Sequence, residues 1–267
     1  MSQSEPQFET LIVTVDDGVQ IVTLNRPEAM NTINDAMTHE LLTAFEMAAR
    51  NSEVRAVLLR ATGRAFCAGF ELGSMQSEGA EAVFQAKSGL AEINKIPLAI
   101  LGLEKPVVAA VNGVAVGGGF SLVLCSDLAI ASETARFSVI YARRGLMSDL
   151  GINYMLPRYV GLRKAKELIF TADMIDAAEA ERLGLINKVV SPDALDDEAL
   201  SLAKRMASGP TKALGLSKMA IHRSLDTDLS TSLELETWGQ ALCIQTQDVI
   251  EGWTAFAEKR DPNFQGK

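Results

Sequence analysis

The sequence contains very few of the residues that build metal sites and disulfide frameworks. Its 267 residues include two histidines, and its three cysteines, Cys67, Cys125 and Cys243, are widely separated and form no C-x-x-C pair. We therefore predict that the protein holds no metal ion. Cysteines this sparse and odd in number fit the reducing cytoplasm better than an oxidising compartment, so we predict a cytoplasmic protein.

Basic residues and long apolar stretches are also in short supply. Lys and Arg total 25 against 34 Asp and Glu, the formal net charge is −9, and no basic stripe typical of nucleic-acid binding is visible. The longest apolar stretch, around residues 97–116, is broken by Glu104, Lys105, Pro106, Asn112 and Gly113. No continuous run therefore approaches the roughly 20 apolar residues of a membrane span. Residues 1–10 lack the basic-then-apolar order of a signal peptide. We predict neither nucleic acid nor a membrane as a partner.

The chain does have enough apolar residues for a large core, since 48% of its residues are hydrophobic and 22% are charged. Alternating strand and helix patterns predict an α/β class for residues 1–195, followed by a helical region over residues 196–267. The predicted strands are residues 11–15, 19–24, 54–60, 106–111 and 128–131, and the predicted helices are residues 32–50, 80–93, 120–125, 164–171, 177–183, 194–208 and most of 210–258.

Two glycine-containing segments and one aspartate are candidates for chemistry. The glycines at 117–119 lie between a predicted strand and a predicted helix, where free N–H groups suit an anion or an oxyanion. Gly69 allows close backbone approach after another strand. Structural turns are the alternative for both segments. Asp149, in a glycine-bounded loop among apolar residues, is either a solvated turn-former or a general base with a raised pKa.

Seven segments, in this order and spacing, resemble the crotonase superfamily, also called the enoyl-CoA hydratase/isomerase family, over nearly the whole chain. They are residues 25–31, 65–69, 105–113, 117–119, 125–127, 184–189 and 255–260. The resemblance implies a spiral of repeated ββα units with a helical C-terminal trimerisation region, assembled as a homotrimer or hexamer. It also implies an acyl-CoA substrate, with coenzyme A present only as part of the thioester and no permanently bound cofactor.

The resemblance also assigns roles by position. It implies that the backbone N–H groups of Phe70 and Gly118 form an oxyanion hole for the thioester carbonyl. It places substrate and CoA contacts at Arg26, Glu28, Ala29, Ala68, Glu71, Leu72, Phe256 and Lys259. Ser121 and Tyr141, which are also predicted to contact the substrate, occupy the positions of the two glutamates that hydratases of the family use.

The missing glutamates and the retained aspartate decide the predicted reaction. Serine and tyrosine hydroxyls at ordinary pKa are poor replacements for carboxylates that hold a water and move its proton. Asp149 occupies the position of a catalytic aspartate in dienoyl-CoA isomerases, phenylacetyl-CoA isomerases and chlorobenzoyl-CoA dehalogenase. We therefore predict an enoyl-CoA isomerase in which Asp149 alone carries a proton between two carbons.

Several alternatives stay open beside the isomerase. They are a hydratase-like lyase, an aryl-CoA dehalogenase-like hydrolase and a non-catalytic acyl-CoA binder. The dehalogenase mechanism needs a histidine where this chain has Asn94. Loss of both glutamates motivates the binder, whereas the retained Asp149 argues against it. Arg143 and Arg144 fit either a surface or intersubunit ion pair or an acyl pocket for a polar group.

Overall fold

A computed structural model describes residues 7–71 and 79–267 of the chain. The first part of the fold repeats a unit of two strands followed by a helical segment. The first unit consists of β1 (Leu11–Asp16), β2 (Val19–Leu24) and α1 (Asp35–Arg50). The next three units are, in chain order, β3 (Ala56–Ala61), β4 (Ala65–Cys67), α2 (Gly79–Ile93) and α3 (Lys95–Leu101); β5 (Val107–Val111), β6 (Val114–Val116) and α4 (Gly118–Cys125); and β7 (Leu128–Ser132), β8 (Arg136–Ser138) and α5 (Ile152–Thr171).

The rest of the chain is mostly helical, as the sequence pattern predicts. Its elements are β9 (Ile175–Asp176), α6 (Ala177–Arg182), β10 (Lys188–Val190), α7 (Leu195–Ala207), α8 (Thr211–Ser224), α9 (Leu229–Cys243) and α10 (Gln247–Glu258). Short 3-10 helices occupy Pro27–Ala29, Ile140–Arg144 and Pro192–Ala194. No helix within the described residues is both long enough and apolar enough to cross a membrane.

The strands form two sheets, and the division explains where the site lies. The larger sheet has the order β1-β2-β3-β5-β7-β10 and the smaller has the order β4-β6-β8-β9. The first strand of each of the last three ββα units joins the larger sheet, and the second strand joins the smaller one. Because β4, β6 and β8 are parallel neighbours, their carboxyl ends meet at one edge of the smaller sheet.

The inner strands of the larger sheet, β2, β3, β5 and β7, are buried on both faces. These strands are nearly continuous apolar runs, such as the fully buried β5, which is typical of a covered parallel sheet. One face packs against α1, α4 and other helices, and the opposite face packs against α7. The predicted division at residues 195 and 196 therefore falls at the first turn of a helix that packs on the sheet. After α7, the chain continues as the helices α8, α9 and α10.

Several predicted boundaries differ from the structure for identifiable reasons. The helix predicted from Thr32 begins at Asp35 because the Asn34 side chain caps it by accepting the Met37 N–H. The segment α5 consists of two helical stretches separated by Gly161, whose φ of 73° and ψ of 164° are not helical. The helix predicted over residues 164–171 lies in the second stretch, and the first stretch, from Ile152, was not predicted. The short strands β4, β6 and β8 and the short helix α3 were not predicted. Three-residue strands are too short to show an alternation.

Candidate active site

Three loops meet at the carboxyl edge of the smaller sheet. They follow β4, β6 and β8 and carry Phe70, Gly118 and Tyr141, respectively. A Cβ built on Gly69 would lie 3.7 Å from the Gly118 nitrogen, so the first two loops are in contact. A Cβ on Gly117 would lie 3.7 Å from the Tyr141 ring, so the third loop adjoins the second. The structure thus brings together residues that are far apart in the sequence.

Glycine is needed at this edge because neighbouring groups lie too close for a side chain, as well as for the turns that it allows. A Cβ on Gly118 would lie 2.6 Å from the Phe70 ring and 3.1 Å from a Leu150 methyl group. Gly69 has a φ of 92°, a conformation that other residues rarely adopt. Larger residues at either position would push these loops apart.

The two predicted oxyanion-hole donors are both free of protein partners within the described part of the chain. Phe70 forms a parallel bridge with Ile33, in which Ile33 donates to Gly69 and Glu71 donates to Ile33. This pattern leaves the Phe70 N–H pointing away from Ile33. The Gly118 N–H is in the first turn of α4, where amides have no partner inside the helix. Neither N–H donates a hydrogen bond to another described residue.

The loop before α1 packs beside this edge through a buried asparagine. Asn31 accepts the Arg26 N–H at 2.8 Å and donates to the carbonyls of Thr62 and Ala65, each at 2.8 Å. The Ala68 N–H donates to Met30 at 3.0 Å. These bonds fix the Pro27–Ala29 turn, which contains the predicted contacts Glu28 and Ala29, next to the loop that follows β4.

Arg26 itself is engaged within the protein. Its guanidinium donates to the Thr32 carbonyl at 2.7 Å and forms an ion pair with Glu71 at 3.2 Å. The structure therefore places the predicted contacts Arg26, Ala68 and Glu71 side by side. Leu72 lies outside the described residues. Phe256 and Lys259 are at the end of α10, where the Phe256 side chain is 87% exposed.

Asp149 lies against Tyr141. The Tyr141 hydroxyl donates to the Asp149 carboxylate, with 2.5 Å between the two oxygens, and Tyr141 is only 8% exposed. Burial raises the pKa of the half-buried Asp149 above its ordinary value, while the bond from Tyr141 lowers it. Burial, together with the negative charge of Asp149, raises the pKa of Tyr141, so the phenol stays protonated. The pair is thus a carboxylate oriented by a neutral donor.

The segment around Asp149 has an unusual backbone. Leu150, a buried residue, has a φ of 51°, and Gly151 follows with a φ of 78°. The Ser121 hydroxyl donates to the Leu150 carbonyl at 2.5 Å. On the other side, Ser148 and Asn153 are joined by two hydrogen bonds of 2.6 and 2.5 Å. No spacing in the sequence indicated the Tyr141, Ser148 or Asn153 contacts.

A narrow, mostly apolar cleft lies between Phe70, Gly118 and Leu150, and it is packed too tightly to hold even a water molecule. Its remaining lining residues are Ile33, Ile96, Pro97, Ile100, Ser121, Leu122 and Cys125. The cysteines near it are not nucleophiles, because burial raises the pKa of both Cys67 and Cys125 to about 12. The residues that line the cleft are mostly apolar.

The remaining candidate residues lie away from this cleft or are used elsewhere. Arg143 is exposed and pairs with Asp173 at 3.1 Å, as the surface ion-pair interpretation requires, and Arg144 is exposed. His39 is exposed, and His222 lies 3.8 Å from Asp127. Asn94 is an exposed residue at the start of α3. Over residues 7–71 and 79–267, no cluster of three or more His, Cys, Asp or Glu residues could bind a metal.

Known proteins are similar to this chain in fold and in sequence over nearly its whole length. The enoyl-CoA hydratase/isomerase family profile matches residues 14–267. An enoyl-CoA hydratase from Bacillus anthracis superposes with a TM-score of 0.91 at 33% identity, covering 97% of this chain and 100% of the other. The fold is therefore the crotonase fold, as the resemblance implied.

Curated relatives identify the family. The chain is 37% identical to a crotonyl-CoA hydratase from Syntrophomonas wolfei, covering 97% of this chain and 99% of that protein. It is 36% identical to a 1,2-epoxyphenylacetyl-CoA isomerase from Escherichia coli K12, covering 97% and 100%, respectively. The class that the fold and these relatives define is that of acyl-CoA-processing enzymes. The chain belongs to the enoyl-CoA hydratase/isomerase family.

Proposed function

We propose that the protein moves a carbon–carbon double bond of an enoyl-CoA, using Asp149 as its single base and acid. The observation that carries the proposal is the placement of Asp149. Its half-buried carboxylate lies at the same sheet edge as the free N–H groups of Phe70 and Gly118, 2.5 Å from Tyr141. At the two positions where hydratases carry glutamates, this chain has Ser121 and Tyr141.

The proposed reaction begins with proton removal from the α-carbon of a β,γ-enoyl thioester. Asp149 takes that proton, and the electron pair moves into the thioester carbonyl to give a dienolate. The N–H groups of Phe70 and Gly118 stabilise the oxyanion, and one such donor contributes about 10²–10³-fold in rate. Asp149 then returns a proton to the γ-carbon, and the α,β-enoyl thioester is formed. Atoms and charges balance without a metal or a bound cofactor.

Tyr141 orients the base in this scheme. Its hydroxyl donates to one oxygen of Asp149 and leaves the second oxygen for the substrate. Because a hydrogen bond to a carboxylate stabilises the charged form, Tyr141 also lowers the pKa of Asp149 and so opposes the effect of burial, which raises it. A positioned general base of this kind contributes about 10²–10⁴-fold in rate.

Binding of the substrate is divided between two regions. We assign the acyl group to the apolar cleft between Phe70, Gly118 and Leu150, which has to widen to admit it. We assign the CoA portion to the surface formed by Arg26, Glu28, Ala29, Ala68 and Glu71, with Phe256 and Lys259 serving a neighbouring subunit. A homotrimer or a dimer of trimers would cover the exposed apolar side chains of α9 and α10, which include Trp238, Leu242, Ile250, Trp253 and Phe256.

A hydratase is the second candidate, because several relatives carry that name. In this alternative, Asp149 would deprotonate a water that adds to an α,β-enoyl thioester. We favour the isomerase because one carboxylate suffices for a proton shift, whereas hydration in this family uses two. A non-catalytic binder remains an outcome of the test below. We disfavour a dehalogenase-like hydrolase because its mechanism needs a histidine where this chain has Asn94.

The variant Asp149→Asn tests the proposal with β,γ-hexenoyl-CoA and crotonyl-CoA as probes. We expect the wild-type protein to convert the first probe to its conjugated isomer and the variant to lose at least about 10²-fold in kcat. Asp173→Asn is the matched control, because Asp173 is an exposed partner of Arg143 and should leave kcat unchanged. Equal isomerisation by wild type and Asp149→Asn contradicts the mechanism. Hydration of crotonyl-CoA alone supports the hydratase, and binding without turnover supports the binder.

A further inference from the structure

The backbone that presents Asp149 adopts a conformation that its sequence does not favour. Leu150 has a φ of 51°, and it is buried, so its carbonyl cannot be satisfied by bulk water. The left-handed region is unfavourable for a leucine because its Cβ crowds the following carbonyl. Such a conformation persists only where its surroundings hold it in place.

A hydrogen bond from the Ser121 hydroxyl stabilises this backbone conformation. The hydroxyl donates to the Leu150 carbonyl at 2.5 Å, and no other described residue donates to this oxygen. Ser121 is 2% exposed and lies on α4, whose eight residues are all buried. Because α4 also begins with Gly118, one rigid helix fixes both the oxyanion-hole glycine and the loop that carries Asp149.

We infer that Ser121 is a positioning residue, whose bond to the Leu150 carbonyl holds Asp149 beside Tyr141 and the glycine loop. A serine hydroxyl has one proton to donate, and that proton is used by Leu150. The proposal therefore adds an indirect role, through the Leu150 carbonyl, to the predicted substrate contact of Ser121, which also lines the apolar cleft. The kinetic part of the inference rests on the proposed function of Asp149.

The protein contains a close structural match to this arrangement. Ser138 is also 2% exposed, and its hydroxyl donates at 3.0 Å to the carbonyl of Ala172. Ala172 is a buried non-glycine residue with a φ of 51°, as Leu150 is. Ser138→Ala removes the same kind of bond as Ser121→Ala without touching the Asp149 loop. The pair thus separates positioning of Asp149 from general structural support.

The experiment compares Ser121→Ala with Ser138→Ala by kinetics and by amide hydrogen exchange of the whole protein. With β,γ-hexenoyl-CoA, we expect Ser121→Ala to lower kcat by about 10- to 100-fold, because small misplacements of a reacting group cost that much. KM should change by less than about twofold, since ground-state contacts are retained. Amides in residues 148–153 should exchange faster in Ser121→Ala and at the wild-type rate in Ser138→Ala.

The outcomes distinguish the two proposals. Wild-type kcat and wild-type exchange in Ser121→Ala would overturn the positioning role, and so would an equal loss of kcat in both serine variants. If Asp149→Asn is as active as the wild type, the proposed reaction fails. In that case the exchange of residues 148–153 still decides whether Ser121 holds the loop.

Discussion

At the scale of single residues, the chemistry depends on the pair formed by Tyr141 and Asp149. Two opposing effects act on the Asp149 carboxyl. Burial raises its pKa, and the hydrogen bond from Tyr141 lowers it. Only the ionised carboxylate can accept a proton from the substrate. The rate at low pH is therefore governed by the balance between these two effects.

Tyr141→Phe tests this balance directly. Removing the hydroxyl removes the effect that lowers the pKa of Asp149, so that pKa should rise. The acid limb of the plot of kcat/KM against pH should then move to higher pH, with lower activity at its acidic end. Tyr154→Phe is the matched control, because the Tyr154 hydroxyl also donates to a carboxylate, that of Asp226, on the protein surface. A shift to lower pH in Tyr141→Phe, or the same shift in both variants, contradicts this assignment.

Gly118→Ala tests the other half of the site. The added Cβ would lie 2.6 Å from the Phe70 ring, so that ring, on the residue that supplies the other N–H donor, must shift. We expect kcat to fall by about 10²–10³-fold, the typical effect of losing one oxyanion-hole donor. Gly89→Ala, where a Cβ meets nothing within 4 Å, is the control and should keep wild-type kcat. Wild-type kcat in Gly118→Ala would contradict the idea that the site needs the close approach of Gly118 and Phe70, because the variant keeps its N–H group but displaces the ring.

Sequence reasoning at this scale could propose residues but not their contacts. Asp149 and Gly118 stand out because glycine-bounded loops and the order of family motifs mark them. The bonds from Tyr141 to Asp149 and from Ser121 to Leu150 join residues that are 8 and 29 positions apart. Only the folded chain brings those atoms together, so no local pattern encodes them.

At the scale of elements, long and periodic segments were predictable and short ones were not. The five strands β1, β2, β3, β5 and β7 of the larger sheet were predicted because their apolar, β-branched residues stand between turn signals. The smaller sheet was not predicted, because β4, β6 and β8 have only three residues each and are too short to show an alternating pattern. Since the site lies at the end of this smaller sheet, its geometry could not be derived from secondary structure alone.

A buried ion pair between Lys218 and Asp127 joins α8 to the rest of the fold. Lys218, whose side chain is 6% exposed, donates to Asp127 at 2.8 Å and to the Ile100 carbonyl at 2.8 Å. Lys218→Ala leaves the Asp127 carboxylate without its ammonium partner, and loss of one member of a buried pair typically costs about 3–5 kcal/mol. We expect a decrease of that order in the free energy of unfolding, measured by denaturant titration.

The matched variant for this test is Lys212→Ala on the same helix. Lys212 is 59% exposed and lies 3.7 Å from Glu104, and exposed pairs contribute less than about 1 kcal/mol. A loss of similar size in both variants would show that the buried pair has no special role.

At the scale of the whole molecule, the α/β class and the crotonase fold predicted from the sequence are confirmed. The family match spans residues 14–267, so the acyl-CoA chemistry belongs to the entire chain rather than to one part of it. Assembly into trimers or hexamers stays a prediction. Its physical basis is the row of exposed aromatic and aliphatic side chains on α9 and α10, which a monomer would leave in water.

The central claim is that the Asp149 carboxylate carries a proton from the α-carbon to the γ-carbon of one substrate molecule. The most direct measurement uses β,γ-hexenoyl-CoA that is deuterated at the α-carbon, with the product analysed by NMR after reaction in ordinary water. A single base that removes and returns the label predicts deuterium at the γ-carbon in part of the wild-type product, and product formation that is at least about 10²-fold slower with Asp149→Asn. Formation of the conjugated product by Asp149→Asn at the wild-type rate would contradict the claim.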